Sequence, residues 1–128
     1  MATATVETPV PTRRRIGNIA LWVLQALLAA LFVWSGVAKL FAITGTVEGF
    51  DKIGWGQWFR YFIGALEFAG GLGLLIPRLI SLAALGLAVI MVGAVYMHFT
   101  ALPPAANAVT PAVLVIVLAF IAWRRRPR

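Results

Sequence analysis

The chain has 128 residues, 62% of them hydrophobic and only 12% charged, with a mean hydropathy of +0.94 and a formal net charge of +7. That balance excludes a soluble domain of this length and leaves room for one membrane-embedded bundle, since no stretch outside the apolar segments is long enough to bury a core of its own. The absence of cysteine excludes disulfides, thiolate metal sites, iron–sulfur ligation and thiol redox relays.

The leading MATATVETPVPT is small, polar and Pro-containing, and residues 1–15 read as a flexible cytoplasmic segment. Four apolar stretches follow, Ile16 to Phe41, Phe59 to Ile76, Leu79 to His98 and Ala105 to Trp123. At a helical rise of 1.5 Å per residue they measure roughly 39, 27, 30 and 28 Å, against a hydrocarbon thickness of roughly 30 Å. The expected fold is therefore an all-α membrane protein, a bundle of four transmembrane helices over residues 16–123, closed by a basic cytoplasmic tail at 124–128. A barrel does not fit, because the runs are continuously apolar rather than alternating. Pro103, Pro104 and Pro111 leave the start of the fourth helix open between Ala105 and Pro111.

Basic residues bracket the bundle. Arg13, Arg14 and Arg15 precede the first span, Arg124, Arg125, Arg126 and Arg128 follow the last, and Arg78 sits in the turn after the second. Four spans place all of these on one side with Glu7, against Lys39, Lys52 and Arg60 with Glu48, Asp51 and Glu67 on the other. The positive-inside tendency then puts both termini in the cytoplasm of a multi-pass cell-membrane protein. The net charge is thus a topology signal and an attraction to anionic lipid; no folded basic surface remains for nucleic acid. Gly36-Val37-Ala38 loosely resembles a signal-peptidase site, but the apolar run before it is longer than a signal core, so the first span is read as retained.

The longest connection, about Ala42 to Trp58, carries Gly45, Gly49 and Gly54 with Phe50, Trp55 and Trp58, and is expected to re-enter or lie on the surface as an outer cap. Trp22 and Trp123 near one interface and Trp55 and Trp58 near the other read as an aromatic belt, whereas Trp34 lies deeper.

Glu67 is the residue that asks for a reason, a lone carboxyl inside YFIGALEFAGGLGLLI. In hydrocarbon it costs several kcal/mol unless paired, protonated or turned to a polar cavity. Arg60, Gly64, Glu67 and Gly71 fall on one helical stripe, and Gln25, Phe32, Ser35 and Lys39, with Gly36 adjoining, form the only polar face of the first span. Both faces are expected to point into the bundle, with Lys39, Arg60, Glu67 and His98 sharing its outer half. A Glu67 ion pair with Arg60 or Lys39 that merely fixes helix register fits these residues as well as a ligand site does. Gly86 and Gly93 read as helix-packing positions, and a lone His98 cannot supply bis-His haem ligation.

FVWSGVAKLF (Phe32 to Phe41), YFIGALEFAGGLGLLIPRL (Tyr61 to Leu79) and LAALGLAVIMVGAVYMHF (Leu82 to Phe99) together resemble the DoxX-like family of small four-span membrane proteins. The middle block is the most specific, joining the glutamate, the glycine cluster and the Pro77-Arg78 turn. The resemblance implies a four-helix membrane fold and a link to membrane redox systems, as a component of quinol-oxidase, thiosulfate:quinone oxidoreductase or oxidative-stress complexes.

On this reading the chain is a small subunit holding a quinone-like or other lipophilic molecule. Lys39 and His98 donate to a ring carbonyl, Glu67 exchanges a proton with a reduced hydroxyl, Arg60 stands nearby and Trp34 stacks. No metal ligands and no catalytic residues are assigned, and electrons come from partner subunits. The competing reading is a non-catalytic assembly or scaffold subunit; solute transport is less favoured, because four short spans without an inverted repeat leave little room for alternating access. Homo-oligomerisation through the glycine faces is a further expectation.

Overall fold

The computed structural model describes residues 12–43 and 45–127, so the N-terminal lead up to residue 11 and the terminal Arg128 lie outside the described residues. Five α-helices follow in order, α1 (Thr12–Leu40), α2 (Thr46–Ile53), α3 (Gln57–Gly73), α4 (Ile80–Thr100) and α5 (Val109–Arg124). Among the described residues there is no strand.

Three runs are long and apolar enough to cross a membrane, Thr12–Leu40, Ile80–Thr100 and Ala105–Arg124. Their outward faces are apolar too, with Leu27 at 66%, Val89 at 65% and Ile116 at 71% exposure, as suits contact with a lipid bilayer. Helix α3 has 17 residues, about 26 Å, which is short of a bilayer's roughly 30 Å. It is shortened because the helix ends at Gly73 and the remaining apolar residues, through Ile76, form the turn into α4. Helix α1 begins ahead of Ile16 and takes in Arg13 to Arg15. The start of the last helix is resolved by a 3₁₀ turn over Ala105–Ala108 that passes into α5 at Val109, which places Pro111 in the first helical turn, where its missing N–H costs nothing.

The helices pair as α1 with α3 and α4 with α5, and α3 joins the pairs by packing on α4. Glycines set the spacing. A Cβ on Gly36 would stand 2.6 Å from the Gly64 carbonyl oxygen and 2.7 Å from the Phe68 nitrogen, so α1 and α3 touch backbone to backbone. Gly70 and Gly73 let side chains of α4 pack onto the α3 backbone, where a Cβ would meet Leu87 Cδ2 at 2.7 Å and Ala83 Cβ at 2.8 Å. Gly86 and Gly93 depart from the sequence expectation: nothing lies within 4 Å of a Cβ at either, and both are exposed on α4. The packing there is supplied by Ala84, Leu87, Ala88 and Met91, because the contact face of α4 is built from these larger side chains meeting glycines on α3.

The core, including Phe32, Leu74, Leu87, Leu118 and Ile121, fills the half of the bundle nearest the start of α1 and the end of α5. There Gln25, fully buried, donates from Nε2 to the Leu74 carbonyl at 2.8 Å, satisfying an acceptor that the end of α3 leaves open. Its Oε1 accepts from Arg125 Nε at 2.8 Å, and Arg125 Nη1 reaches Asn18 at 2.9 Å while the guanidinium lies 5.3 Å from the Trp22 ring centroid. Burial first, and the neighbouring charge of Arg124 second, push the Arg125 pKa down from its ordinary value. Ser81 Oγ closes the same end by donating to the Ala122 carbonyl at 2.9 Å.

The glycine contacts set a prediction. Gly36→Ala should lower stability in detergent by about 1–3 kcal/mol through overpacking, whereas Gly86→Ala should be neutral or slightly stabilising. Thermal unfolding of the two variants beside the parent chain measures the difference.

Candidate functional site

Glu67 is 2% exposed and sits on the α3 stripe with Arg60, Gly64 and Gly71, all buried as the helical spacing requires. The facing residues come from α1. Ser35 Oγ donates to Glu67 Oε2 at 2.6 Å, Lys39 Nζ donates to the same oxygen at 2.9 Å, and Lys39 Nζ donates to Ser35 Oγ at 2.7 Å. Ser35 and Lys39 are one helical turn apart on α1, which is why they converge on one carboxylate. An ammonium and a hydroxyl on a single carboxylate oxygen form a neutral, hydrogen-bonded unit, the form in which charge is tolerated in an apolar interior. Two of the three Lys39 N–H groups are engaged, and both bonds to Glu67 fall on Oε2.

Arg60, 4% exposed, does not pair with Glu67. Its Nη1 donates to the Lys39 carbonyl, its Nε to Gln57 Oε1 at 2.7 Å, and its guanidinium lies 4.3 Å from the Tyr61 ring centroid. The Lys39 carbonyl is among the last of α1, so Arg60 meets both an open acceptor and the negative end of that helix. Lys39 is therefore the counter-ion of Glu67, and Arg60 is the cap of α1.

Above this cluster the two helix pairs flank a half-open cavity of about 950 Å³. Ser35, Lys39, Thr46, Glu67, Tyr96, His98 and Thr110 supply its polar groups, and the remainder is largely apolar, with Phe50, Trp55, Phe59 and Phe62 forming an aromatic wall. Phe59 stands at the centre of that wall, 5.8 Å from Phe50 and 4.9 Å from Trp55 between ring centroids. Helix α2 covers the cavity and is held by Thr46 Oγ1 to the Ala38 carbonyl at 3.3 Å and by Gln57 Nε2 to the Val47 carbonyl at 3.1 Å. Gly54 closes α2 at φ 82°, a left-handed conformation that a side chain would strain. The connection between α1 and α3 is thus a short helical cap lying over the site.

Of the residues singled out in the sequence, Lys39, Glu67 and His98 line the cavity; Arg60 and Trp34 are not part of its lining. Trp34 is 55% exposed on the outer face of α1, two positions along from the buried Phe32 and Gly36 on either side. The aromatic side chains on the cavity wall are instead those of Phe50, Trp55, Phe59, Phe62 and Tyr96. His98 Nδ1 lies 2.8 Å from the Ala94 carbonyl, which can only accept, so Nδ1 carries the proton. That bond turns Nδ1 to the backbone of α4 and leaves Nε2 as the ring nitrogen available to a ligand. Phe50, Trp55 and Phe59 were legible as apolar or belt residues but not as cavity wall, because their placement depends on the fold of α2. Among the described residues no three of His, Asp and Glu gather as a metal site.

The sequence pattern of the DoxX-like family matches residues 23–121. The chain belongs to the DoxX-like family. The match takes in the Ser35, Lys39, Glu67 and His98 positions, so the cavity lies wholly within the part of the chain that is DoxX-like. No curated protein and no solved structure matches the chain. What is established is a small DoxX-like membrane protein with a paired carboxylate on the wall of an apolar cavity.

Removing the counter-ion tests the pairing. Lys39→Met should cost about 3 kcal/mol by leaving a buried carboxylate unpaired, and adding Glu67→Gln to it should restore most of the loss. Melting temperatures of the parent, both single variants and the double variant complete the cycle.

Proposed function

We propose that this DoxX-like protein holds a lipophilic small molecule of quinone type in the cavity beside Glu67, as a small subunit of a membrane redox system. The observation that carries the reading is the cavity itself, about 950 Å³, apolar and aromatic over most of its surface, with a few convergent polar groups at one side. A ring with oxygen on opposite edges suits those groups. The remaining Lys39 N–H serves a carbonyl, Glu67 accepts from a hydroxyl of the reduced form, and His98 Nε2 takes the oxygen on the other edge. Phe59 and its neighbours provide the flat apolar faces. Electrons pass to and from a partner subunit, since the chain's own residues supply binding and proton exchange only.

The topology proposed with this function has four spans and both termini in the cytoplasm of a multi-pass cell-membrane protein. In support, the start of α1 and the end of α5 lie at one end of the bundle, joined by Arg125 to Asn18, and that end carries the arginines apart from Arg60. The cavity then faces the outer half of the bilayer. The chain has no cysteine, so single introduced thiols report on sidedness directly. Arg126→Cys and Arg78→Cys should react with a membrane-impermeant maleimide only after the inner face is exposed, and Lys52→Cys in intact cells.

One observation favours the scaffold reading: the Ser35–Lys39–Glu67 cluster lies beside the Gly36–Gly64 contact, where it also ties α1 to α3. Glu67→Gln separates the two. Gently purified wild-type protein should yield a quinone-like species on solvent extraction and mass spectrometry, and an equally stable Glu67→Gln should yield little. Wild type that comes out empty from a quinone-containing membrane, together with a destabilised variant that loses partner proteins, would instead establish the scaffold.

A further inference from the structure

A second concavity lies at the opposite end of the bundle from the Glu67 cavity. Gly17, Leu21 and Leu24 of α1 face Phe120 and Trp123 of α5 across a groove of about 350 Å³, with Arg124 on its rim. Gly17 leaves the floor of the groove without a side chain. Nothing lies within 4 Å of a Cβ built on Gly17, so there is open space at that point of α1.

Charge says what the groove would take. Arg124 is the last residue of α5, and Arg13 lies one helical turn ahead of Gly17 on the same face of α1. Arg126 stacks 5.1 Å from the ring centroid of Trp123, a groove residue, and donates from Nη1 to the Trp123 carbonyl at 2.7 Å. Arg125 is turned away into the Gln25 and Asn18 contacts. The acids among the described residues, Glu48, Asp51 and Glu67, are all at the far end, so this cationic rim has no counter-charge of its own nearby. An apolar slot that opens at a rim of guanidiniums, at the level where a helix leaves the hydrocarbon, matches an acyl chain joined to a phosphodiester.

We propose that the α1–α5 groove seats one acyl chain of an anionic phospholipid, with the phosphate held between Arg124 and Arg126 on one side and Arg13 on the other. The site is separate from the Glu67 cavity and stands or falls independently of what that cavity holds.

The test is native mass spectrometry of the full chain released from detergent after incubation with phosphatidylglycerol or with phosphatidylcholine of identical acyl chains. The wild type should retain phosphatidylglycerol at least about tenfold over phosphatidylcholine. Gly17→Leu fills the groove at a position with open space, and should lower phosphatidylglycerol retention about tenfold with an undiminished melting temperature. Ala20→Phe, at an exposed position lining the same groove, is a second block should Gly17→Leu fail to fold. The Arg13→Gln, Arg124→Gln double variant should remove most of the preference for the anionic lipid, roughly thirtyfold in affinity if each arginine contributes a typical surface attraction. Equal retention of the two lipids by wild type overturns the proposal. So does undiminished phosphatidylglycerol in a folded groove-filling variant, which would reduce the effect to attraction at a charged surface, and so does an anionic preference that survives loss of both arginines.

Discussion

A carboxylate in an apolar bundle must find its partner inside the bundle, and the meeting of Glu67 with Lys39 and Ser35 governs much of the rest of this structure. Ser35 and Lys39 converge on one Glu67 oxygen at 2.6 and 2.9 Å, a separation that side chains reach only if the two helices run close together. The close approach is supplied by Gly36 and Gly64, which bring backbone against backbone beside the ion pair. Once α1 and α3 are drawn together in this way, α4 and α5 pack as a second pair, and the space left between the pairs beneath α2 becomes the cavity. The same cluster that stabilises the bundle therefore also forms the polar corner of the candidate site. Structural and binding roles for Glu67 share one geometry.

The two ends of the bundle handle polarity differently. At the α2 end, charges are neutralised within the protein: Lys39 by Glu67, and Arg60 by the carbonyl end of α1. At the other end, the fully buried Gln25 joins the end of α3 to Arg125, and the remaining arginines face outward. Hydrogen bonding to a neutral amide tolerates burial with less loss than an ion pair requires, which suits the fully buried Gln25 at the core residue Leu74.

Much of this was legible from spacing. The Arg60, Gly64, Glu67, Gly71 stripe is buried as the helical period demands, and Phe32, Ser35, Gly36 and Lys39 do face α3. What spacing left open was which cation reaches the carboxylate, because Arg60 and Lys39 both have the length and only the stagger of α1 against α3 decides. Trp34 was ambiguous for a different reason: in lipid a large apolar side chain is as well placed outside as in, so hydrophobicity carries no directional signal. Gly86 and Gly93 misled for a related one, since small residues suit a helix crossing and an empty face alike. The Gln25–Arg125 bond joins positions 100 residues apart, and no local pattern announces it. The aromatic wall depends on how α2 folds back, which a Gly-rich connection does not specify.

The order in which the chain is made gives the Lys39–Glu67 pair a direction. Lys39 precedes its partner by 28 residues, which at typical synthesis rates is a delay of a few seconds. During that interval the ammonium stands near the end of α1 on a flexible stem that reaches polar surroundings without a counter-ion. Glu67 has no such exit, being short-stemmed and placed well inside α3. When α3 emerges, the carboxylate meets a cation already in position, so the group least able to wait is the one that arrives second. Exchanging the two residues would keep the final ion pair and reverse that sequence of events, leaving a carboxylate to wait near the end of α1 and a lysine to enter last at the deeper site.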